Sequence, residues 1–308
     1  MGKSRLIGGI YMFEGIIGNE KIKESLKKNI IEDKISHSYL FLGVEGIGKQ
    51  LIAKEFAKSI LCTQKENNTY CNKCSSCIQF NSSNHADFKI IEPEGSSIKI
   101  EQIRQMQEKV QEKPIISKNK IYIINNADLL TIEAQNCLLK TLEEPPIHTI
   151  IMLIGSNENA FLSTIKSRCM IIHFQKINDE EIKEFLKNEY EITNISSNMI
   201  KTFQGSIKRA IEQKDNKEQY EKIEKIIKSL KTKDTVQILK NSRILYQSKE
   251  SIFQMLDDMN VILINLAKEE SNYANCIFLV EETKKRLKQN ANLDMCIDNL
   301  LLQMIETV

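Results

Sequence analysis

The stretch Gly43-Val44-Glu45-Gly46-Ile47-Gly48-Lys49 constrains the fold of this chain more than any other. An apolar run at residues 38–42 precedes it, and residues 51–61 follow with the spacing of a helix. Strand, glycine loop, lysine and helix are the setting of a phosphate-binding loop. Amides unblocked by side chains face the phosphates, the helix start favours anions, and the lysine reaches the terminal phosphates. Gly43, Gly46, Gly48 and Lys49 would make that contact. Further short β-branched runs at 88–91, 120–124, 149–154 and 170–174 alternate with helical stretches. The pattern predicts an α/β module, a parallel five-stranded sheet with helices on both faces.

As an enzyme marker the loop is incomplete. The residue after Lys49 should offer a hydroxyl to Mg²⁺, and it is Gln50. The run ending at Ile124 should lead into acids that hold the metal and activate water, but it leads into Asn125-Asn126. Neutral amides neither neutralise a cation nor accept a proton at neutral pH. Asp128 stands three residues beyond Asn125 and is a poor substitute. Three losses in one pocket predict a site that does not hydrolyse ATP; weak nucleotide binding through Gly48 and Lys49 and a purely structural loop are both compatible with this. The competing reading is an independent ATPase whose Mg²⁺ shell uses Gln50.

Eight cysteines are present, and four of them, Cys62, Cys71, Cys74 and Cys77, fall in a polar, asparagine-rich insertion at 62–77. Their spacings of nine, three and three let four thiols meet around one tetrahedral Zn²⁺. Thiol exchange is the alternative use of Cys-x-x-Cys, but no thioredoxin-like pattern flanks the set. Four protein ligands leave the metal no open position, so its expected role is structural. A nucleic-acid-binding finger is disfavoured, since only Lys65 and Lys73 in the insertion are basic. His85 is nearby and is not needed as a ligand.

With 43 Lys+Arg against 41 Asp+Glu among 308 residues, the net charge of +2 implies no global attraction to nucleic acid or to a membrane. No apolar run approaches the ~20 residues of a spanning helix. Lys3, Arg5 and the apolar residues 6–13 have the charge order of a secretory signal, but two glycines interrupt them and no small-residue cleavage pattern follows. The cysteine distribution suits a reducing cytoplasm.

All four prolines lie before residue 147, and the last glycine is Gly205. Beyond it, 218–230, 235–245, 251–268, 273–288 and 293–305 carry apolar residues at three- and four-residue spacing, which predicts a helical bundle. Residues 178–213 read as short helical pieces. The expected division is therefore 1–175, 176–213 and 214–308.

After the run at 149–154 comes Phe161-Leu162-Ser163-Thr164-Ile165-Lys166-Ser167-Arg168-Cys169. An isolated arginine is ordinarily a surface ion-pair residue. Residues 138–146, Leu-Leu-Lys-Thr-Leu-Glu-Glu-Pro-Pro, read as an amphipathic helix stopped by two prolines, and no chemistry is assigned to their acids.

Taken in order, Gly43 to Lys49, the four-cysteine insertion, residues 138–146 and Ser167-Arg168-Cys169 resemble the delta-prime family of bacterial DNA polymerase III clamp-loader subunits. Phe13-Glu14-Gly15-Ile16-Ile17-Gly18 and His37-Ser38-Tyr39-Leu40-Phe41 are also similar to the opening of that family. The resemblance spans about residues 13–215. It implies an AAA+ module at 1–175, a small lid at 176–213 and a helical collar at 214–308 that holds an open five-subunit ring. It further implies a non-hydrolysing stator within DNA polymerase III, a DNA-directed DNA polymerase. Partners would be the gamma/tau and delta subunits, with the sliding clamp and primed DNA met through the assembled complex. Carried over by residue, Arg168 would be the finger offered in trans to a neighbouring gamma/tau ATP site, and Cys62, Cys71, Cys74 and Cys77 the zinc ligands. Gamma and tau relatives keep the hydroxyl and the acids that Gln50, Asn125 and Asn126 replace. Lys208 stands where active relatives place a nucleotide-sensing arginine, with Arg209 beside it.

Overall fold

A computed structural model describes residues 12–193, 195, 197–213, 217–246, 251–268 and 270–308. Residues 3–11 of the signal-like stretch lie outside them. The chain forms two compact units, Met1–Glu181 with Gly205–Lys208, and Ile182–Gln204 with Arg209–Val308.

In the first unit α1 (Glu20–Ile31) leads into β1 (Ser38–Leu42), α2 (Lys49–Leu61), α3 (Ser75–Asn81), β2 (Phe88–Ile91) and α4 (Ile100–Val110). There follow β3 (Lys120–Ile124), α5 (Ile132–Glu143), β4 (Thr149–Gly155), α6 (Ser163–Lys166) and β5 (Met170–His173). The strands form one sheet of order β2-β3-β4-β1-β5, every neighbouring pair parallel. This is the expected five-stranded sheet. β1, β3 and β4 are buried along their whole lengths, which is why they read as apolar runs and not as alternation. β4 extends one residue past the expected run, to Gly155, and β5 stops one short, at His173, where Phe174 turns away while its amide still bonds Leu42.

α4 and α5 cover one side of the sheet, and their buried faces join Leu40, Leu42, Ile124 and Leu153 in one core. α5 starts at Thr131, whose hydroxyl accepts the Ala134 amide, and stops at Glu144, which Pro145 keeps out of the helical region.

The remaining helices are α7 (Asp179–Tyr190), α8 (Ser197–Thr202), α9 (Ile207–Gln213), α10 (Lys217–Ser229), α11 (Thr235–Asn241), α12 (Ile252–Ala267), α13 (Tyr273–Lys288) and α14 (Leu293–Thr307). α12 is apolar on most of its circumference and is the hub of the second unit, packing against α8, α10 and α13. The expected helices 218–230 and 235–245 instead tighten at their ends into the 3₁₀ turns Leu230–Thr232 and Ser242–Tyr246. The first break is made without glycine or proline, by Lys233 at φ 52°. No described helix is long and apolar enough to cross a membrane.

Candidate phosphate pocket, cysteine centre and arginine edge

β1 lies between β4 and β5, so the loop that leaves its carboxyl end enters the crevice where open α/β sheets bind ligands. Gly46 and Gly48 hold φ of 78° and 95°, values that favour glycine. A Cβ on Gly46 would collide with Ser206 Oγ and Lys208 Cβ, so the loop tip is closely packed. The Lys208 amide donates to the Gly46 carbonyl at 3.2 Å, and its ammonium pairs with Glu45 at 2.8 Å. Lys49 is buried and donates to the carbonyls of Gly43 and, at 2.8 Å, Val44. Burial brings its pKa down to about 8, against the opposing pull of the Asp128 and Glu45 carboxylates.

Two of the three amides at the altered positions face one acid that sequence reasoning passed over. Gln50 Nε2 and Asn125 Nδ2 donate to Glu92 Oε1 at 3.5 and 3.4 Å. The strand register explains the meeting: Ile91 pairs with Ile124, so the residue after β2 lies beside the residue after β3. One oxygen of Asp128 accepts from the Ser156 amide and hydroxyl and from the Asn157 amide, at 2.9 to 3.2 Å. Asn126 sits at φ 50° and opens a 3₁₀ turn. Among these residues no hydroxyl follows the lysine, and amides stand at both positions after β3 where acids are expected. The set does not fit a Mg²⁺–nucleotide.

The four expected cysteines do converge. Their sulfurs all lie within 4.8 Å of one another and every one is buried. Cys62 Sγ is 3.7 Å from Cys71 Sγ and 3.8 Å from Cys74 Sγ, far beyond a disulfide and close to the roughly 3.8 Å edge of a tetrahedron with 2.3 Å Zn–S bonds. Backbone amides of Cys71, Lys73, Cys74 and Cys77 donate to these sulfurs. Burial pushes the Cys62 and Cys77 thiols up, whereas for Cys74 burial is outweighed by hydrogen bonds from Thr63 and the Cys77 amide, bringing it to about 5. Four buried sulfurs this close could hold a metal such as zinc, which would favour their thiolate form.

Local sequence explains the module. Asn67 and Asn68 take φ of 49° and 61° in a turn closed by the Glu66–Thr69 bridge, and Asn72 takes 58°; asparagine tolerates this region best among non-glycine residues. Ser76 and Ser117 hydroxyls both donate to the Leu61 carbonyl. His85 is not a ligand: its Nδ1 accepts the Asp87 amide at 3.0 Å, leaving Nε2 to donate to Ser76 Oγ at 2.9 Å.

Arg168 follows α6 at the edge of the sheet. Its carbonyl accepts from Ser38 Oγ in β1 at 2.7 Å. Its guanidinium donates from Nη1 to the Thr164 carbonyl at 2.9 Å and Ser167 Oγ at 3.2 Å, and from Nη2 to Glu143 Oε1 at 2.7 Å. The side chain is 32% exposed. His37, Leu142, Glu143, Ser167 and Arg168 line an open cleft of about 530 Å³. Among the acids of residues 138–146, Glu143 makes this ion pair, the end of α5 setting its carboxylate beside the arginine.

Residues 18–178 match the family described as DNA polymerase III, delta subunit. The DNA polymerase III subunit delta' of Bacillus subtilis is 29% identical across 93% of this chain and 96% of that protein. The DNA polymerase III subunit tau of the same organism is 37% identical across 55% of this chain, which spans only 30% of that relative. The crystal structure of a gamma-subunit-related protein from Thermotoga maritima aligns with 92% of this chain and 98% of its own, at TM-score 0.47 and 17% identity.

Proposed function

Because the chain belongs to the delta-subunit family of DNA polymerase III, we propose that it serves the clamp loader as a stator that hydrolyses no ATP itself and completes a neighbour's ATP site with Arg168. One contrast carries this reading. In the chain's own phosphate pocket Lys49 is buried and bonded to loop carbonyls, and amides stand at Gln50, Asn125 and Asn126, while Arg168, though bonded to Thr164, Ser167 and Glu143, keeps 32% of its side chain exposed on an open cleft. A rigid guanidinium, charged at every accessible pH, stabilises the charge that develops on a transferred γ-phosphate. The partners in this reading are gamma/tau and delta subunits, reached through the AAA+ module and through a collar formed by residues 214–308. A lid at 176–213 joins the two. Sliding clamp and primed DNA are met through the whole assembly, in the cytoplasm. Zinc held by Cys62, Cys71, Cys74 and Cys77 is structural.

The test is DNA- and clamp-stimulated ATP hydrolysis by a loader reconstituted with tau. Arg168→Ala should lower turnover on the order of 10³-fold. The isolated chain should be silent, and should stay silent after Asn125→Asp with Asn126→Glu. Turnover by the chain alone, or full assembly activity without Arg168, sinks the proposal.

A further inference from the structure

We infer that Glu143 is the positioning residue for Arg168, an assignment that rests on the trans role proposed above. A flexible arginine on a surface loses activity to its own rotamers, since a displacement of ~1 Å at a reacting centre can cost about 100-fold. Arg168 is held at both ends. Ser38 Oγ, on the fully buried first residue of β1, fixes its backbone; with that hydrogen used, His37 Nδ1 donates to Ser38 Oγ at 2.8 Å. Three acceptors fix its head, and of these Glu143 alone is charged and alone comes from another element, α5. The place of Glu143 is itself fixed, because Pro145 and Pro146 end the helix directly after it.

The count of donors favours orientation over sequestration. A guanidinium has five N–H bonds, and the three used here leave two for a phosphate oxygen. A single bond from one carboxylate oxygen thus sets the plane of the fork without consuming it.

The loader reconstituted with tau separates this from a structural role. Glu143→Ala should lower the kcat of DNA-stimulated ATP hydrolysis about tenfold with KM for ATP unchanged, whereas Glu143→Gln, which keeps an acceptor oxygen, should restore most of it. In the Arg168→Ala background neither substitution should lower turnover further. If Glu143→Ala leaves kcat intact where Arg168→Ala abolishes it, the positioning role is overturned and the trans role stands. An equal loss from Glu143→Ala in both backgrounds also overturns it, since Glu143 then acts without Arg168. Full turnover in Arg168→Ala overturns the trans role. Nitrogen-15 side-chain NMR of the chain supplies a readout independent of turnover: rotation of the Arg168 guanidinium should be slow, and should quicken in Glu143→Ala.

Discussion

Lys49 and Arg168 are both held by oxygens of their own chain, and what separates them is burial. Lys49 is 7% exposed and its ammonium is spent on loop carbonyls, whereas the Arg168 side chain keeps a third of its surface in solvent. Burial also governs His85, whose pKa it pushes below the ordinary value, with the Asp87 carboxylate opposing. The bond from the Asp87 amide to Nδ1 requires the neutral ring. The unfolded chain therefore takes up the proton first, near pH 6.5. The stability from neutral His85 is complete above that pH and is lost as pH falls towards the depressed folded value. Urea unfolding at pH 7.5 and 5.5 should show this loss, and His85→Gln should reduce the difference; an unchanged difference would remove His85 as its source.

The insertion at 62–77 has a small core of its own, the four cysteines and Tyr70. Lys58 lies over the Tyr70 ring at 4.0 Å, and the Ser76, His85 and Ser117 bonds tie the module to α2 and to the loop before β3. A metal held by the four cysteines would offset the chain entropy of turns around so small a core. Removal of metal by a strong chelator should open this segment to limited proteolysis and lower the unfolding temperature, with both effects reversed by Zn²⁺. A segment equally resistant in both states would show that the thiols pack as simple apolar groups. The cysteine spacing made this centre legible in sequence, because four ligands within sixteen residues have few other ways to meet. Glu92 and Glu143 were not legible. Glu92 meets partners 33 and 42 positions away, and Glu143 meets Arg168, only because parallel strands and a stopped helix bring them together.

For the whole molecule, a pocket bonded to itself predicts no response to nucleotide. Ligand at 100 times its Kd stabilises a fold by roughly 2.7 kcal/mol, a shift of several degrees in a domain of this size. Millimolar ATP with Mg²⁺ should leave the unfolding temperature of the isolated chain unmoved, and a rise of several degrees would show that the loop still binds. The sequence by itself determined the sheet, its parallel sense, the glycine loop and the cysteine centre, because glycine tolerance, apolar runs and ligand spacing act over short stretches of chain. It also places amides at Gln50, Asn125 and Asn126, which needs no geometry. Only the tertiary structure decided where the freed bonding capacity went: Gln50 and Asn125 to Glu92, Asp128 to the end of β4, Lys208 to Glu45 and Arg168 to Glu143. Those pairings depend on register and on where helices stop, and a polar group can be satisfied by any partner that the fold happens to bring within about 3 Å.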